Sequence, residues 1–322
     1  MRLVRYKENP ILEKNPENTW EAGSVLNPSV IFDDGIFRMV YRATNDVKKK
    51  ELGGYVSSIG YAESKDGINF SRAKEPLIKP DQSYEDGLGC EDPRVTKIAD
   101  TYYLYYTAVK GIGKNKKVRI AIATSQDFVK WKKHGLVGPN TNSKAAVLFP
   151  EKIKGQYIML YTWMADTPMS SIIHARFDSL DDVIKPPKNL IPSTLDRYED
   201  FVVISPEINS YRGPEVGAVP IKTKYGWLLI YCRANSSGKK EWAIGVALLD
   251  LFRPNKVVGV LDKPILRPEK DMELKGIVNN VTFPEGAVIV EDKLHVYYGS
   301  GDQGICLATC NVKKLLHQLK KS

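Results

Sequence analysis

The residues best suited to chemistry in this chain are acidic and basic side chains beside prolines at the heads of apolar strands. The run Gly89-Cys90-Glu91-Asp92-Pro93-Arg94 sets two carboxylates and a guanidinium within four residues, just after the flexible Gly87-Leu88-Gly89. Comparable heads put Asn27 before Pro28, Glu151 and Lys152 after Pro150, and Glu285 after Pro284. Carboxylates and guanidinium groups over aromatic walls suit carbohydrates, because sugars offer hydroxyls to polar groups and C–H faces to rings. Glycoside cleavage takes an acid for the leaving oxygen and a nucleophile or base for the incoming group. Asp92 is the candidate acid, since the neighbouring Glu91 is expected to raise its pKa towards the range where such an acid works. A strand-entry cap, or a salt bridge to Arg94, is the structural alternative for Glu91-Asp92. The four histidines, His134, His174, His295 and His317, show no ligand spacing, so no metal is expected. Neither a phosphate-cradling P-loop nor a Gly-x-Ser-x-Gly elbow is present.

Such residues need a scaffold that aims them at one point, and a repeat supplies it. A strand, a turn and a tyrosine-rich second strand recur as Asn27–Phe32 with Phe37–Tyr41, then Asp92–Val95 with Tyr102–Tyr106. Further copies are Phe149–Ile153 with Tyr157–Tyr161, Val219–Lys222 with Gly226–Tyr231, and Phe283–Val288 with Leu294–Tyr298. Third strands follow in step, at Ile59–Ser64, Ile120–Ser125, Ile172–Arg176, Ile244–Leu248 and Ile305–Thr309. Five units of roughly 50 to 70 residues, each a meander of about four strands, predict an all-β fold, a five-bladed β-propeller. No linker interrupts the series, so residues 1–322 are expected to form one domain; the irregular stretch from Asp178 to Tyr211 reads as an elaborated loop. Pro28, Pro93, Pro150, Pro220 and Pro284 are expected to open the five innermost strands, forming a ring at the channel mouth. The segment 313–319 reads as a short helix, able to cap the propeller or meet a second subunit, so a homo-oligomer stays open.

Composition narrows the partners. Hydrophobic residues make up 43% and charged residues 26% of the 322, as in an ordinary soluble protein. The net charge of +9 comes largely from loop-like lysines such as Lys48-Lys49-Lys50 and Lys114 to Lys117, without a nucleic-acid-binding signature, so no nucleic acid is expected. An anionic substrate such as phosphate is compatible with the sign. No apolar run approaches spanning length and the first residues lack the core of a signal peptide, so no membrane and a cytoplasmic location are expected. Cys90, Cys232, Cys306 and Cys310 form no CxxC and read as small buried side chains.

Gly89-Cys90-Glu91-Asp92-Pro93-Arg94-Val95, with the tyrosine-rich strand after it, resembles the signature of glycoside hydrolase family 130, which contains mannoside phosphorylases and some mannosidases. Asn27-Pro28, Tyr41-Arg42-Ala43, Leu148–Ile153, Gly226–Tyr231 and Tyr297-Tyr298-Gly299 with Asp302 extend the likeness over nearly the whole chain. The resemblance implies a five-bladed propeller and an inverting reaction on β-mannosides. In the phosphorylases, inorganic phosphate attacks the anomeric carbon and α-mannose 1-phosphate leaves. It implies Asp92 as acid, passing its proton through a mannose hydroxyl, and Asn27, Arg42 and Asp302 as the mannose holders; Glu91 and Arg94, on either side of Asp92-Pro93, are further candidate substrate-binding residues. Lys144 matches a basic phosphate position, with Arg119 and Arg233 as supplements. No cofactor is implied beyond phosphate as co-substrate. Phosphorylases of this family tend to carry His-Arg where this chain has Tyr161-Thr162, and histidine where it has Cys232. Three readings follow: a phosphorylase of β-linked manno-oligosaccharides; an inverting β-mannosidase in which Glu285, Glu215 or Glu151 activates water; and a non-catalytic glycan-binding propeller.

Overall fold

Runs that alternate apolar and aromatic side chains become strands, because each such face finds a neighbouring sheet to bury it. The computed structural model describes residues 1–46, 55–187, 198–207, 211–235 and 240–322. Lys48-Lys49-Lys50 and parts of the stretch from 178 to 211 lie outside these residues; its described parts hold helices Leu180–Ile184 and Tyr198–Phe201.

Two short strands come first, β1 (Val4–Arg5) and β2 (Leu12–Glu13). The first meander is β3 (Ser24–Asp33), β4 (Ile36–Thr44), β5 (Ser57–Ser64) and β6 (Ser71–Arg72). The second is β7 (Gly87–Ile98), β8 (Thr101–Lys110), β9 (Lys117–Ser125) and β10 (Lys132–Leu136). In the third are β11 (Ser143–Leu148), β12 (Tyr157–Trp163), β13 (Ser171–Phe177) and β14 (Val202–Ile204). The fourth splits its first strand into β15 (Glu215–Val216) and β16 (Ile221–Thr223), then runs β17 (Gly226–Asn235), β18 (Glu241–Leu249) and β19 (Val257–Val260). The fifth is β20 (Thr282–Val290), β21 (Lys293–Ser300) and β22 (Gly304–Asn311). Its outer edge is completed by the amino terminus, since β1 and β2 both pair antiparallel with β22. Pairing within each meander is antiparallel, and one parallel bridge, Ser57 to Gly89, joins the first two.

The core lies between meanders rather than within any one. Val40, Ile59, Leu104 and Tyr106 join the first to the second, and Tyr105, Ile122, Leu148 and Met159 the second to the third. Phe149, Leu160, Trp227 and Leu229 join the third to the fourth; Ile230, Val246, Val296 and Tyr298 the fourth to the fifth. Val288, Tyr297, Met39 and Tyr41 then join the fifth back to the first. Trp227 is fully buried, edge-on to Phe149 at 4.9 Å, and truncating such a side chain to alanine costs about 3–5 kcal/mol. The first strands also lie side by side: β3 between β20 and β7, β11 against β7 and β15, and β16 and β17 back against β20.

The prolines do not form the single ring expected of them. Pro284 sits near the head of β20, but Pro28 and Pro93 lie inside β3 and β7 at their bulges, Pro150 follows the end of β11 and Pro220 lies between β15 and β16. Pro150 and Pro220 line a cavity of about 300 Å³ with Phe32, Lys97 and Ile289, from the far ends of β3, β7 and β20. The third unit's first strand runs earlier than expected, over Ser143–Leu148, because its alternation of small and apolar residues pairs with β12 before Pro150 halts the ladder. Near the carboxyl end, helix Val312–Leu319 starts on Asn311, whose side chain accepts from Lys314 N, and buries Leu315, Leu316 and Leu319 on the fourth and fifth meanders.

Candidate active site

Bulges deliver the polar side chains. A bulge leaves one residue out of the ladder and re-aims it. The register of β3 shifts between Leu26 and Pro28, isolating Asn27 at φ 50°, and that of β7 between Glu91 and Arg94, isolating Asp92 at φ 49°. Asn and Asp tolerate this left-handed backbone better than most side chains. β20 shifts between Pro284 and Gly286, around Glu285, and β11 shifts just after Lys144, with Ala145 at φ 56°. In the fourth meander, Glu215 pairs across to Cys232 on β17. Asp302, at φ 55°, occupies the β21–β22 turn.

These groups form one buried network. Asn27 Nδ2 donates to Asp92 Oδ1 at 2.8 Å, and Arg42 NH1 donates to the same oxygen at 3.2 Å. The other Arg42 nitrogens donate to Glu91 Oε1 (2.7 Å), the Tyr55 hydroxyl (2.9 Å) and Ser57 Oγ (3.1 Å). Arg94, 1% exposed, binds the carbonyls of Asp92, Val216 and Gly217 and ion-pairs with Glu285 at 2.9 Å. Lys144 Nζ lies 2.9 Å from Glu215 Oε2 and 3.1 Å from Asp166 Oδ1, and Arg212 reaches that same Asp166 oxygen at 2.7 Å. Gly299 is required here, because a Cβ would stand 2.6 Å from Asn27 Oδ1.

Burial and charge divide the carboxyls. Burial pushes Asp92 up, but Arg42, Lys144, Arg94 and the Asn27 amide outweigh it and hold the group at about 2. Asp92 is therefore ionised in the unliganded protein, not raised by Glu91 as the sequence suggests, because the cations on its other sides prevail. Burial lifts Glu91 against the pull of Arg42, lifts Glu215 against Lys144, and lifts Glu285 well above the usual carboxylate range against Arg94. Asp302 is pushed up to about 6 by burial, opposed by Arg42 and helped by Asp92. Lys144 stays firmly charged: burial disfavours the cation, and Asp166, Glu215 and Asp92 more than compensate. Among the described residues, Asn27 Oδ1 and Glu285 Oε2 are buried acceptors without a hydrogen-bond partner.

Not every residue singled out from the sequence joins the network. Arg233 turns away, to the carbonyls of Leu261 (3.3 Å) and Asp262 (2.7 Å) and the carboxylate of Glu207. Arg119 is held by Asn140 at 2.9 Å and by the Val118 carbonyl. Glu151 follows Pro150 at the opposite ends of the strands and pairs, half-exposed, with Lys222. Conversely, Asp166 and Arg212 were missed, since both lie in irregular segments without periodic signal. Arg212, three residues before Glu215 in Arg212-Gly213-Pro214-Glu215, stands at a strand entry, which is the clue that would have found it.

A meander protein that converges buried carboxylates, guanidinium groups and a lysine on one point is built as a glycoside-cleaving enzyme, of the phosphorylase or hydrolase type. A family model described as beta-1,4-mannooligosaccharide phosphorylase, that of glycoside hydrolase family 130, matches residues 2–321. The chain belongs to this family. It is 37% identical over 317 residues to a 1,2-beta-oligomannan phosphorylase of Thermoanaerobacter sp. (strain X514), covering 98% of this chain and 99% of that one. A solved beta-1,2-mannobiose phosphorylase from Listeria innocua, in complex with beta-1,2-mannobiose, superposes with a TM-score of 0.79 at 26% identity over the full length of both chains. Another solved structure, with TM-score 0.79 and 28% identity over 97% of this chain and 94% of that one, accompanies the finding that the family contains glycoside hydrolases targeting beta-1,2 mannosidic linkages in Candida mannan.

Proposed function

We propose that this protein is an inverting β-mannoside phosphorylase acting on β-1,2-linked manno-oligosaccharides, with residues 1–322 forming a single five-bladed propeller. Support for five blades comes from the five interfaces between successive meanders and the return of the fifth to the first. The preference for β-1,2 linkages rests on relatives named for them. The proposal places the chain in the cytoplasm, with phosphate as co-substrate and no further cofactor.

One observation carries the reading: a charged lysine, Lys144, buried among the carboxylates and sharing Asp166 with Arg212. A hydrolase delivering neutral water has little use for that pair, whereas a phosphate dianion needs cations to hold it. Mannose is held by Asn27, Arg42 and Asp302, with Glu91, Arg94 and Glu285 bracing them. A phosphate oxygen, steered by Lys144 and Arg212, bonds to the anomeric carbon from the face opposite the leaving sugar. The carbon–oxygen bond to that sugar breaks, and its oxygen takes the Asp92 proton. The products are α-mannose 1-phosphate and the shortened oligosaccharide. Phosphate also loads the acid: its negative charge offsets the cations that hold Asp92 at about 2, so the carboxyl gains its proton as phosphate enters. Incubation with β-1,2- and β-1,4-mannobiose, with and without phosphate, tests this. Mannose 1-phosphate formed only with phosphate, and faster from the β-1,2 isomer, is expected. Equal release of free mannose without phosphate rejects phosphorolysis.

A hydrolytic reading has its own support in Glu285 and Glu215, fully buried carboxyls lifted above their usual range beside Asp92 and Lys144. In that reading one of them activates water, and the phosphate-free arm measures it.

A further inference from the structure

Three buried glutamates repeat one arrangement that the reaction itself does not use. Glu21, Glu85 and Glu273 lie on the segments leading into β3, β7 and β20, and each is at most 2% exposed. A tyrosine of the second strand donates its hydroxyl to each: Tyr41 to Glu21 at 3.0 Å, Tyr106 to Glu85 at 2.7 Å and Tyr298 to Glu273 at 2.9 Å. A cation from the outermost strand completes each set. Arg72 of β6 stands 3.1 Å from Glu21, Lys133 of β10 2.8 Å from Glu85, and Arg5 of β1 2.7 Å from Glu273. Backbone amides three and four residues earlier close the remaining lone pairs: Asp81 and Gln82 donate to Glu85, and Glu269 and Lys270 to Glu273. For Glu21 the Asn18 side chain does this at 2.6 Å.

The five equivalent tyrosines stand opposite, or across the bulge from, the strand heads that carry the site. Tyr41 pairs with Pro28, Tyr298 with Pro284 and Tyr231 with Val216, while Tyr106 and Tyr161 face the bulges after Glu91 and Lys144. Among the described residues, Tyr161 and Tyr231 meet no buried glutamate. The lock is thus present in the first, second and fifth meanders, which supply Asn27, Arg42, Glu91, Asp92, Glu285 and Asp302. Among the described residues it is missing from the third and fourth, which supply Lys144 and Glu215. A device needed only to fold a meander would recur in all five. At Glu273 the link to the site is continuous: Met272 O accepts from Ser300 Oγ at 3.0 Å, and Val281 bonds both Glu273 O and Gly301 N, beside Asp302.

We propose that Glu21, Glu85 and Glu273 are positioning residues, each tying an outer strand to the strand head behind the site so that the mannose-holding and proton-donating groups stay fixed while the phosphate side is left untied. This rests on the phosphorylase reading. The experiment uses the full chain with hydroxyl-only deletions, Tyr41→Phe, Tyr106→Phe and Tyr298→Phe, beside Tyr161→Phe and Tyr231→Phe. Tyr106→Phe is expected to lower kcat at least tenfold. Tyr41→Phe and Tyr298→Phe are expected to raise KM for the mannoside at least fivefold, with KM for phosphate moving less than twofold. The two variants at unlocked positions should leave all three constants within twofold. Lys133→Gln is the second probe of the Asp92 lock and should reproduce the kcat loss. Equal losses at locked and unlocked positions, a parallel change in both KM values, or a fall in Tm alone would overturn the proposal. Asp92→Asn separates the two readings: if it keeps activity, the assigned acid fails, whereas its inactivity together with unaffected tyrosine variants removes only the locks.

Discussion

Asn27 and Asp92, 65 residues apart in the chain, are joined by a 2.8 Å hydrogen bond between two strand bulges. Both take left-handed backbone, and Arg42 bonds the same Asp92 oxygen. The amide and the guanidinium therefore hold the same carboxylate oxygen. Asp92→Asn keeps the shape and removes the transferable proton. A general acid contributes roughly 10²–10⁴-fold, so phosphorolysis should fall by about that factor, and Tm should fall as well because Arg42 loses a buried counter-charge. Activity within tenfold of the parent would exclude Asp92 as the acid.

Lys144 neutralises two carboxylates in a buried setting, and deleting one partner of such a set costs about 3–5 kcal/mol. Lys144→Met should accordingly lower Tm and, through lost charge-assisted bonds of about 1.5–3 kcal/mol each, raise KM for phosphate at least tenfold. Arg212→Gln should show a smaller rise, because its guanidinium is more exposed than the lysine. Initial rates across a phosphate series decide this, with an unchanged KM in both variants as the contrary result.

Phosphate binding should take up protons on the acid side of neutrality. The sign follows from Asp92: its pKa of about 2 is held down by cations that phosphate would partly neutralise, so binding raises it and the carboxyl gains a proton. Calorimetric titration with phosphate in buffers of different ionisation enthalpy measures that uptake, which Asp92→Asn should reduce. Equal apparent enthalpies in all buffers would rule the coupling out.

Asp302 predicts a pH dependence of stability of the opposite kind to Asp92. Its folded pKa of about 6 exceeds the ordinary aspartate value of 3.8, so its contribution is fully present below pH 4 and is lost as pH rises through 6. The loss is on the order of 3 kcal/mol. Asp92 acts in reverse, contributing above its unfolded pKa and losing that contribution as pH falls towards 2. Between pH 4 and 7 the ionisation of Asp302 should make the parent lose more stability than Asp302→Asn. Identical melting curves for both across that range would contradict it.

Glu151→Gln is expected to leave turnover unchanged, since this carboxylate sits at the far ends of the strands beside Lys222. Glu285→Gln is expected to impair it, because Arg94 would lose the buried carboxyl that holds it behind Asp92. If Glu151→Gln abolished activity, the orientation of the site along the strands would be wrong.

Much of this was legible in residue order. The recurrence of a tyrosine-rich strand after each apolar one reflects local pattern, since alternation alone sets which face of a strand is apolar. For the same reason Glu91, Asp92, Asn27 and Glu285 stood out beside the prolines of the first strands, whereas Lys144 came only from the family resemblance. Strand limits were harder to read: Pro150 looked like Pro28, yet it ends its strand, because a proline is compatible with either end of a ladder.

Sequence by itself determined the five-fold repeat, the apolar faces and the acidic-basic run around Asp92, all properties of neighbouring residues. Only the tertiary structure decided which charges meet. Arg233 and Arg119 turn to nearby carbonyls and amides, while Arg212, from an irregular segment, shares Asp166 with Lys144. It also decided that Asp92 is held ionised rather than protonated, since that sign depends on Arg42 and Lys144, brought beside it from other strands. Coulombic terms fall with distance through space and take no account of separation along the chain.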